Sequence, residues 1–146
     1  MLNNDFKEFI QLLNVHSVRY LVVGGYAVAF HGHPRYTKDI DIWILLDKTN
    51  AKKMLDVLNA FGFSSLGLTE DDFLKKDNII QLGNPPNRIN ILTDLSGVIF
   101  DECYPQKKNI NIDGVAIKFI DVESLIQNKK ASGRHQDLAD IENLTE

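Results

Sequence analysis

Gly24-Gly25-Tyr26-Ala27, followed after three residues by His31-Gly32-His33-Pro34-Arg35-Tyr36-Thr37-Lys38-Asp39-Ile40-Asp41, is the stretch on which the reading of this chain turns. Before it, Val18 to Val23 is a short run of β-branched and aromatic residues, the composition of a strand. After the glycine pair, Tyr26 to His31 has helical character, so the glycines mark a strand-to-helix turn. A second strand begins at Asp39 and runs toward Leu46. Its alternation puts Ile40, Ile42 and Ile44 on one face and Asp39, Asp41 and Trp43 on the other.

Two carboxylates at i and i+2 of a strand project to the same side, about 7 Å apart along the backbone at ~3.3 Å per residue. That spacing suits a shared magnesium ion. Phosphoryl and nucleotidyl transfer call for such a pair, because the reaction gathers negative charge that a carboxylate-held metal neutralises while it aligns the attacking and leaving oxygens. The plainer reading is a solvated face with two unrelated aspartates. Asp is depleted in strands and like charges repel across so short a span, which favours a bound cation. The glycine pair fits the same chemistry, since backbone N–H groups can approach phosphate oxygens closely where no Cβ intervenes. By itself it would read as a tight turn.

Working outward, Phe6, Phe9, Ile10 and Leu13 behind Asn3 and Asn4 have the spacing of a capped amphipathic helix. Met54, Val57, Leu58 and Phe61 repeat that spacing from a cap at Thr49 or Asn50 to Gly62. A short helix is expected over Glu70 to Lys76. Asn78 to Leu82 and Arg88 to Thr93 read as strands joined through Asn84-Pro85-Pro86-Asn87. A modest helix near Val98 to Cys103 precedes a hairpin of Asn109 to Ile112 and Val115 to Ile120, turned at Asp113-Gly114. Helices over Val122 to Lys130 and Gln136 to Leu144 end the chain, the last with Leu138, Ile141 and Leu144 as its apolar stripe. This order predicts one α+β domain over residues 1–146, a mixed sheet flanked by helices.

Composition narrows the partners. The 146 residues are 44% hydrophobic and 25% charged with a net charge of −4, within the globular range and without a broad footprint for duplex nucleic acid. The longest apolar stretch, Tyr20 to Phe30, falls well short of the roughly 20 residues of a membrane span, and the N-terminus lacks a secretion signal. A cytoplasmic protein is expected. The single cysteine, Cys103, reads as a helix residue ahead of a nucleophile. His31 and His33, with His16 or His135, lack zinc-ligand spacing and read as hydrogen-bonded turn residues. Trp43 reads as sheet packing ahead of base stacking.

Taken together, Gly24-Gly25-Tyr26-Ala27 and the His31-Gly32-x-Pro34-Arg35-x-Thr37-x-Asp39-Ile40-Asp41 run resemble the signature of the DNA polymerase β-type nucleotidyltransferase superfamily. More narrowly, they resemble small bacterial stand-alone nucleotidyltransferases related to abortive-infection and toxin–antitoxin enzymes and, more distantly, antibiotic nucleotidyltransferases. The resemblance implies the polymerase β-like fold, with Gly24 and Gly25 cradling a triphosphate. It also implies two magnesium ions on Asp39 and Asp41, with Arg35, Thr37 and Lys38 beside the phosphates. It extends to Lys129-Lys130-Ala131-Ser132-Gly133-Arg134-His135-Gln136-Asp137-Leu138-Ala139-Asp140, similar to the family's basic turn and following helix. There it implies Lys129 and Arg134 as phosphate or nucleotide contacts oriented by Asp137. Read without the family, Lys130, Arg134 and Asp137 are the i, i+4 and i, i+3 charges of a solvated helix face.

The superfamily's third carboxylate falls on Asn90, whose amide coordinates magnesium weakly and cannot act as a general base. Asp94 shares its face, but four residues at ~3.3 Å place it about 13 Å away. The implied activity is transfer of a nucleoside monophosphate from an NTP, ATP included, to a hydroxyl acceptor, weakened by Asn90. The alternatives are a catalytically impaired nucleotide-binding or toxin–antitoxin module and a metal-dependent phosphohydrolase. The acceptor stays open among protein, tRNA and small molecule, as does a homo-oligomer or cognate partner protein.

Overall fold

The computed structural model of this chain describes residues 2–32, 38–63, 66–84 and 87–145. In chain order the elements are helix α1 (Asn4–Val15), strand β1 (Tyr20–Val23), α2 (Gly24–Phe30), β2 (Ile40–Ile44), α3 (Lys48–Phe61), a 3₁₀ turn (Glu70–Phe73), β3 (Ile79–Leu82), β4 (Ile89–Leu92), a single helical turn α4 (Phe100–Cys103), β5 (Lys108–Ile112), β6 (Val115–Phe119), α5 (Val122–Ser132) and α6 (His135–Leu144). The six strands form one mixed sheet in the order β3-β4-β2-β1-β6-β5. Pairs β1/β2, β3/β4 and β5/β6 are antiparallel, while β2/β4 and β1/β6 are parallel. The expected α+β architecture is therefore found.

Every residue of β1 is buried, as expected of a central strand covered on both faces. Ile40, Ile42 and Ile44 of β2 point into the core, and Trp43 on the opposite face is equally enclosed, edge-on to Phe100 of α4 at 5.1 Å between ring centres. Helix α1 buries the predicted stripe of Phe6, Phe9, Ile10 and Leu13 and is capped by Asn3, whose Oδ1 accepts from Phe6 N at 2.8 Å. Phe9 meets Phe61 of α3 edge to face at 5.2 Å, which fixes the two helices against each other.

Several boundaries move for physical reasons. The cap of α3 is Asp47, which accepts from Asn50 N at 2.8 Å, rather than Thr49 or Asn50. Asn50 is buried and spends its side chain elsewhere, accepting from Arg19 N and donating to Arg19 O and Leu45 O. The segment after Thr69 closes only as a 3₁₀ turn held by a Thr69–Asp72 capping box, not as a helix to Lys76. Strand β2 is shorter than expected, so Asp39 stands one residue outside the ladder. The stripe expected on α6 also fails in part: Leu138 is 54% exposed, and the buried residues of that helix are Asp137 and Asp140.

Candidate active site

Sheet register builds the centre of the site. Val23 of β1 pairs with Asp41 of β2, and Asp41 pairs with Asn90 of β4, so three adjacent strands place these residues in one row. Asn90 Nδ2 donates to Asp41 Oδ1 at 2.9 Å. Gly24 follows directly on β1 with φ +66, and a Cβ there would run into Asp41 Oδ2. Glycine is required at this position twice over, by the left-handed backbone and by the carboxylate against it. Burial pushes the Asp41 carboxyl above its ordinary range, helped by the charge of Asp39, while the Asn90 amide and the more distant Lys129 and Arg134 pull against it.

Asp39 lies at the mouth of the same row. Its Oδ1 accepts from Arg88 N at 3.1 Å, and the Arg88 guanidinium stands 3.9 Å from Oδ2, both side chains about one third exposed. Lys38 is exposed in the bend before it. Gly25 is buried in the first turn of α2. Arg35 and Thr37 lie outside the described residues.

The basic residues come from the far end of the chain. Helix α5 stops at Gly133, whose φ of +67 turns the chain so that α6 starts at once and folds back on α5. That turn brings Lys129 onto two carboxylates of α6: Nζ is 3.1 Å from Asp137 Oδ1 and 3.2 Å from Asp140 Oδ2, with all three side chains buried. Arg134 Nε donates to Asp137 Oδ2 at 2.7 Å, although its side chain is largely exposed. Burial opposes ionisation of Asp137, but its bonds to Arg134 and Lys129 outweigh it and hold the carboxyl below its ordinary range. The same contact raises the Arg134 guanidinium, chiefly through its hydrogen bond to Asp137.

Gly24, Asp41, Lys129 and Arg134 line one cavity of about 370 Å³, with Asn128, Ser132 and the β3 and β4 ends completing its wall. Among the described residues no group of three or more His, Cys, Asp or Glu is placed to hold a metal. Magnesium needs less: it is commonly held by one or two carboxylates and completed by water and phosphate oxygens. Asp39 and Asp41 supply the hard oxygens, and Asn90 Oδ1, buried without a hydrogen-bond partner, is a further neutral oxygen beside them. The donor set fits a divalent cation of this kind.

Other candidates resolve as structure. His31 Nε2 lies 2.8 Å from Ile120 O, a hydrogen-bonded turn histidine. Trp43 is packed, and burial raises the thiol of Cys103, which makes it a poor nucleophile. Residues given no site role by the sequence are Arg88 on Asp39, Asp140 on Lys129, and Asp77; Asp94, set aside there as too distant from Asn90, accepts from Asp77 N through Oδ2 at 2.6 Å at the cavity wall. Asp140 had a signal: with Asp137 it is an i, i+3 pair on one helical face, masked by the competing stripe of Leu138 and Ile141.

Solved structures of other proteins share this architecture. The lincosamide antibiotic adenylyltransferase LnuA, solved with lincomycin bound, superposes with a TM-score of 0.61 at 18% identity over 99% of this chain and 97% of its own. A candidate nucleotidyltransferase (TM1012) from Thermotoga maritima gives 0.58 at 18% identity over 94% and 88%. An antigenic nucleotidyltransferase-like protein from Paracoccidioides brasiliensis gives 0.55 at 20% identity over 98% and 77%. At these identities the likeness is one of fold. No curated protein matches the chain. The family described as "Nucleotidyltransferase of unknown function (DUF6036)" matches residues 2–145, and the chain belongs to that family.

Proposed function

We propose that this protein transfers a nucleoside monophosphate from an NTP to a hydroxyl acceptor and releases pyrophosphate, with Asp39 and Asp41 holding magnesium. The observation that carries the reading is the shared cavity, in which Asp41 and Gly24 face Lys129 and Arg134. Asp41, a carboxylate for a metal with Asp39 two residues before it, thus faces cations for phosphate oxygens across a space of about 370 Å³, adequate for a nucleotide's phosphates. In the reaction the acceptor oxygen forms a bond to the α-phosphorus, the bond from that phosphorus to the bridging oxygen breaks, and pyrophosphate leaves. Magnesium, when bound, neutralises phosphate charge and aligns the attacking and leaving oxygens.

The chain's own groups divide the remaining work. Gly24 and Gly25 let the backbone lie close to the triphosphate, with Arg35, Thr37 and Lys38 contributing beside it. Lys129 and Arg134 bind phosphate oxygens, and Asp137 orients both by charge-assisted bonds. Asn90 holds Asp41 in place through its amide N–H but cannot take the acceptor's proton, which passes to solvent or to a group on the acceptor itself. Turnover is accordingly slower than a third carboxylate would allow.

That neutral amide favours one further reading, a nucleotide-binding or toxin–antitoxin module that retains the site without turnover. We place the protein in the cytoplasm; no helix among the described residues is long and apolar enough to cross a membrane. Transfer from α-labelled NTPs with magnesium to protein, tRNA and small-molecule acceptors tests the proposal. An antibiotic belongs in the panel because LnuA, of the same fold, is an antibiotic adenylyltransferase. Label on an acceptor, lost in Asp39→Asn, supports transfer. Label released to water only would indicate a phosphohydrolase, and binding without release the impaired module. If turnover is limited by Asn90, Asn90→Asp raises it by about a hundredfold, the lower end of general-base catalysis.

A further inference from the structure

We infer that Asp140 is a positioning residue that sets Lys129 in the cavity wall for contact with a nucleotide phosphate. The inference rests on the nucleotidyltransferase reading. Lys129 lines the cavity beside Asp41, yet its side chain is only 6% exposed, and a buried ammonium is costly unless it is paired. Its first partner, Asp137, is already occupied: Oδ2 accepts from Arg134 Nε at 2.7 Å and from Arg134 N at 3.3 Å, and Oδ1 takes a further contact from the guanidinium at 3.3 Å. Asp140 lies three residues further along α6. Its Oδ2 stands 3.2 Å from Lys129 Nζ, and Gln136 Nε2 fixes Oδ1 at 2.9 Å.

Geometry explains why this second carboxylate matters. Asp137 and Asp140 lie three residues apart on α6 and therefore on one face, so the ammonium is gripped from two successive positions and cannot swing about a single contact. One N–H of the ammonium donates to Asp137 Oδ1, and Asp140 Oδ2 holds the same ammonium as an ion pair, which leaves an N–H for a phosphate oxygen. Two buried carboxylates against Lys129 and Arg134 also leave the cluster neutral, so the wall stays folded before any phosphate arrives.

The test is a double-mutant cycle on the full chain with Asp140→Asn, Lys129→Met and the pair together, read by magnesium ATP and GTP titration and by urea unfolding. In the parent, Asp140→Asn is expected to weaken nucleotide binding by about tenfold, within the range seen when the groups that orient a ligand are removed. In the Lys129→Met background it should change binding little, because the residue through which it acts is gone. Stability should reverse sign: Asp140→Asn lowers the urea midpoint of the parent but raises that of Lys129→Met, where Asp137 keeps Arg134 but Asp140 would hold a buried charge with Lys129 gone. Asp140→Glu, which keeps the charge, should retain more affinity than Asp140→Asn. Unchanged binding in Asp140→Asn, an equal loss in both backgrounds, or equal destabilisation in both overturns the assignment. A parent that binds neither nucleotide overturns the functional reading along with it, whereas a parent that binds them regardless of residue 140 overturns this inference alone.

Discussion

At the residue scale, Asp41 is held in a state that favours function over stability. Burial raises its carboxyl, so in the metal-free protein its ionisation opposes folding. For a group with a raised folded pKa, the favourable contribution is complete below the unfolded value of about 3.9 and is lost as pH rises through the folded value. Asp41→Asn should therefore melt at a higher temperature than the parent near neutral pH without metal, with the gap closing toward pH 3. Magnesium should invert the order: at ten times its Kd it stabilises the parent by about 1.4 kcal/mol and leaves the variant unchanged. A metal-independent difference would count against a cation on this carboxylate. Gly24→Ala tests the same contact from the other side. The left-handed backbone alone costs on the order of 1–2 kcal/mol, and the new methyl must displace Asp41, so stability and magnesium-dependent binding should fall together.

At the scale of the element, hydrophobic spacing was a reliable guide wherever apolar burial decides the outcome. The α1 stripe, the α3 stripe ending at Gly62 and the Asp113-Gly114 hairpin all stand close to where periodicity and turn chemistry put them. Spacing failed where polar groups decide. Asn50 looked like a helix cap and is instead a buried tie between α3 and the segments at Arg19 and Leu45, a role defined by residues up to 31 positions away. Asn50→Ala would strand the Arg19 amide, while the Arg19 and Leu45 carbonyls keep Leu45 N and Asp47 N as donors, and a loss of about 1–3 kcal/mol in urea unfolding is expected. Asp47→Ala, which removes only the cap, should cost about 1 kcal/mol. Helix α6 shows the same failure: two aspartates were buried in place of Leu138 because Lys129 supplies a partner from another helix.

At the scale of the whole molecule, the cluster of Lys129, Arg134, Asp137 and Asp140 ties the C-terminal helices into the cavity wall. Asp137 has a lowered folded pKa, the opposite sense to Asp41. Its contribution is present above the unfolded value of about 3.9 and disappears as pH falls through the folded value. Urea midpoints followed from pH 6 down to pH 2.5 should fall more steeply for the parent than for Asp137→Asn, which starts lower because it leaves Arg134 and Lys129 short of a partner. Parallel slopes would show that this carboxylate does not govern acid unfolding.

The sequence by itself determined the strands, most helices, the α+β class and the pairing of Asp39-Ile40-Asp41 with the glycine turn, because these depend on contacts between residues near one another along the chain. Only the tertiary structure decided that Asn90, already expected at this site, donates to Asp41, that Arg88 covers Asp39 and that Asp140 shares Lys129. Parallel pairing of β2 with β4 and the fold of α6 onto α5 create those contacts. Strand order and helix packing minimise the energy of the whole chain, and no local pattern of charge or apolar spacing encodes which distant polar groups will share one buried space.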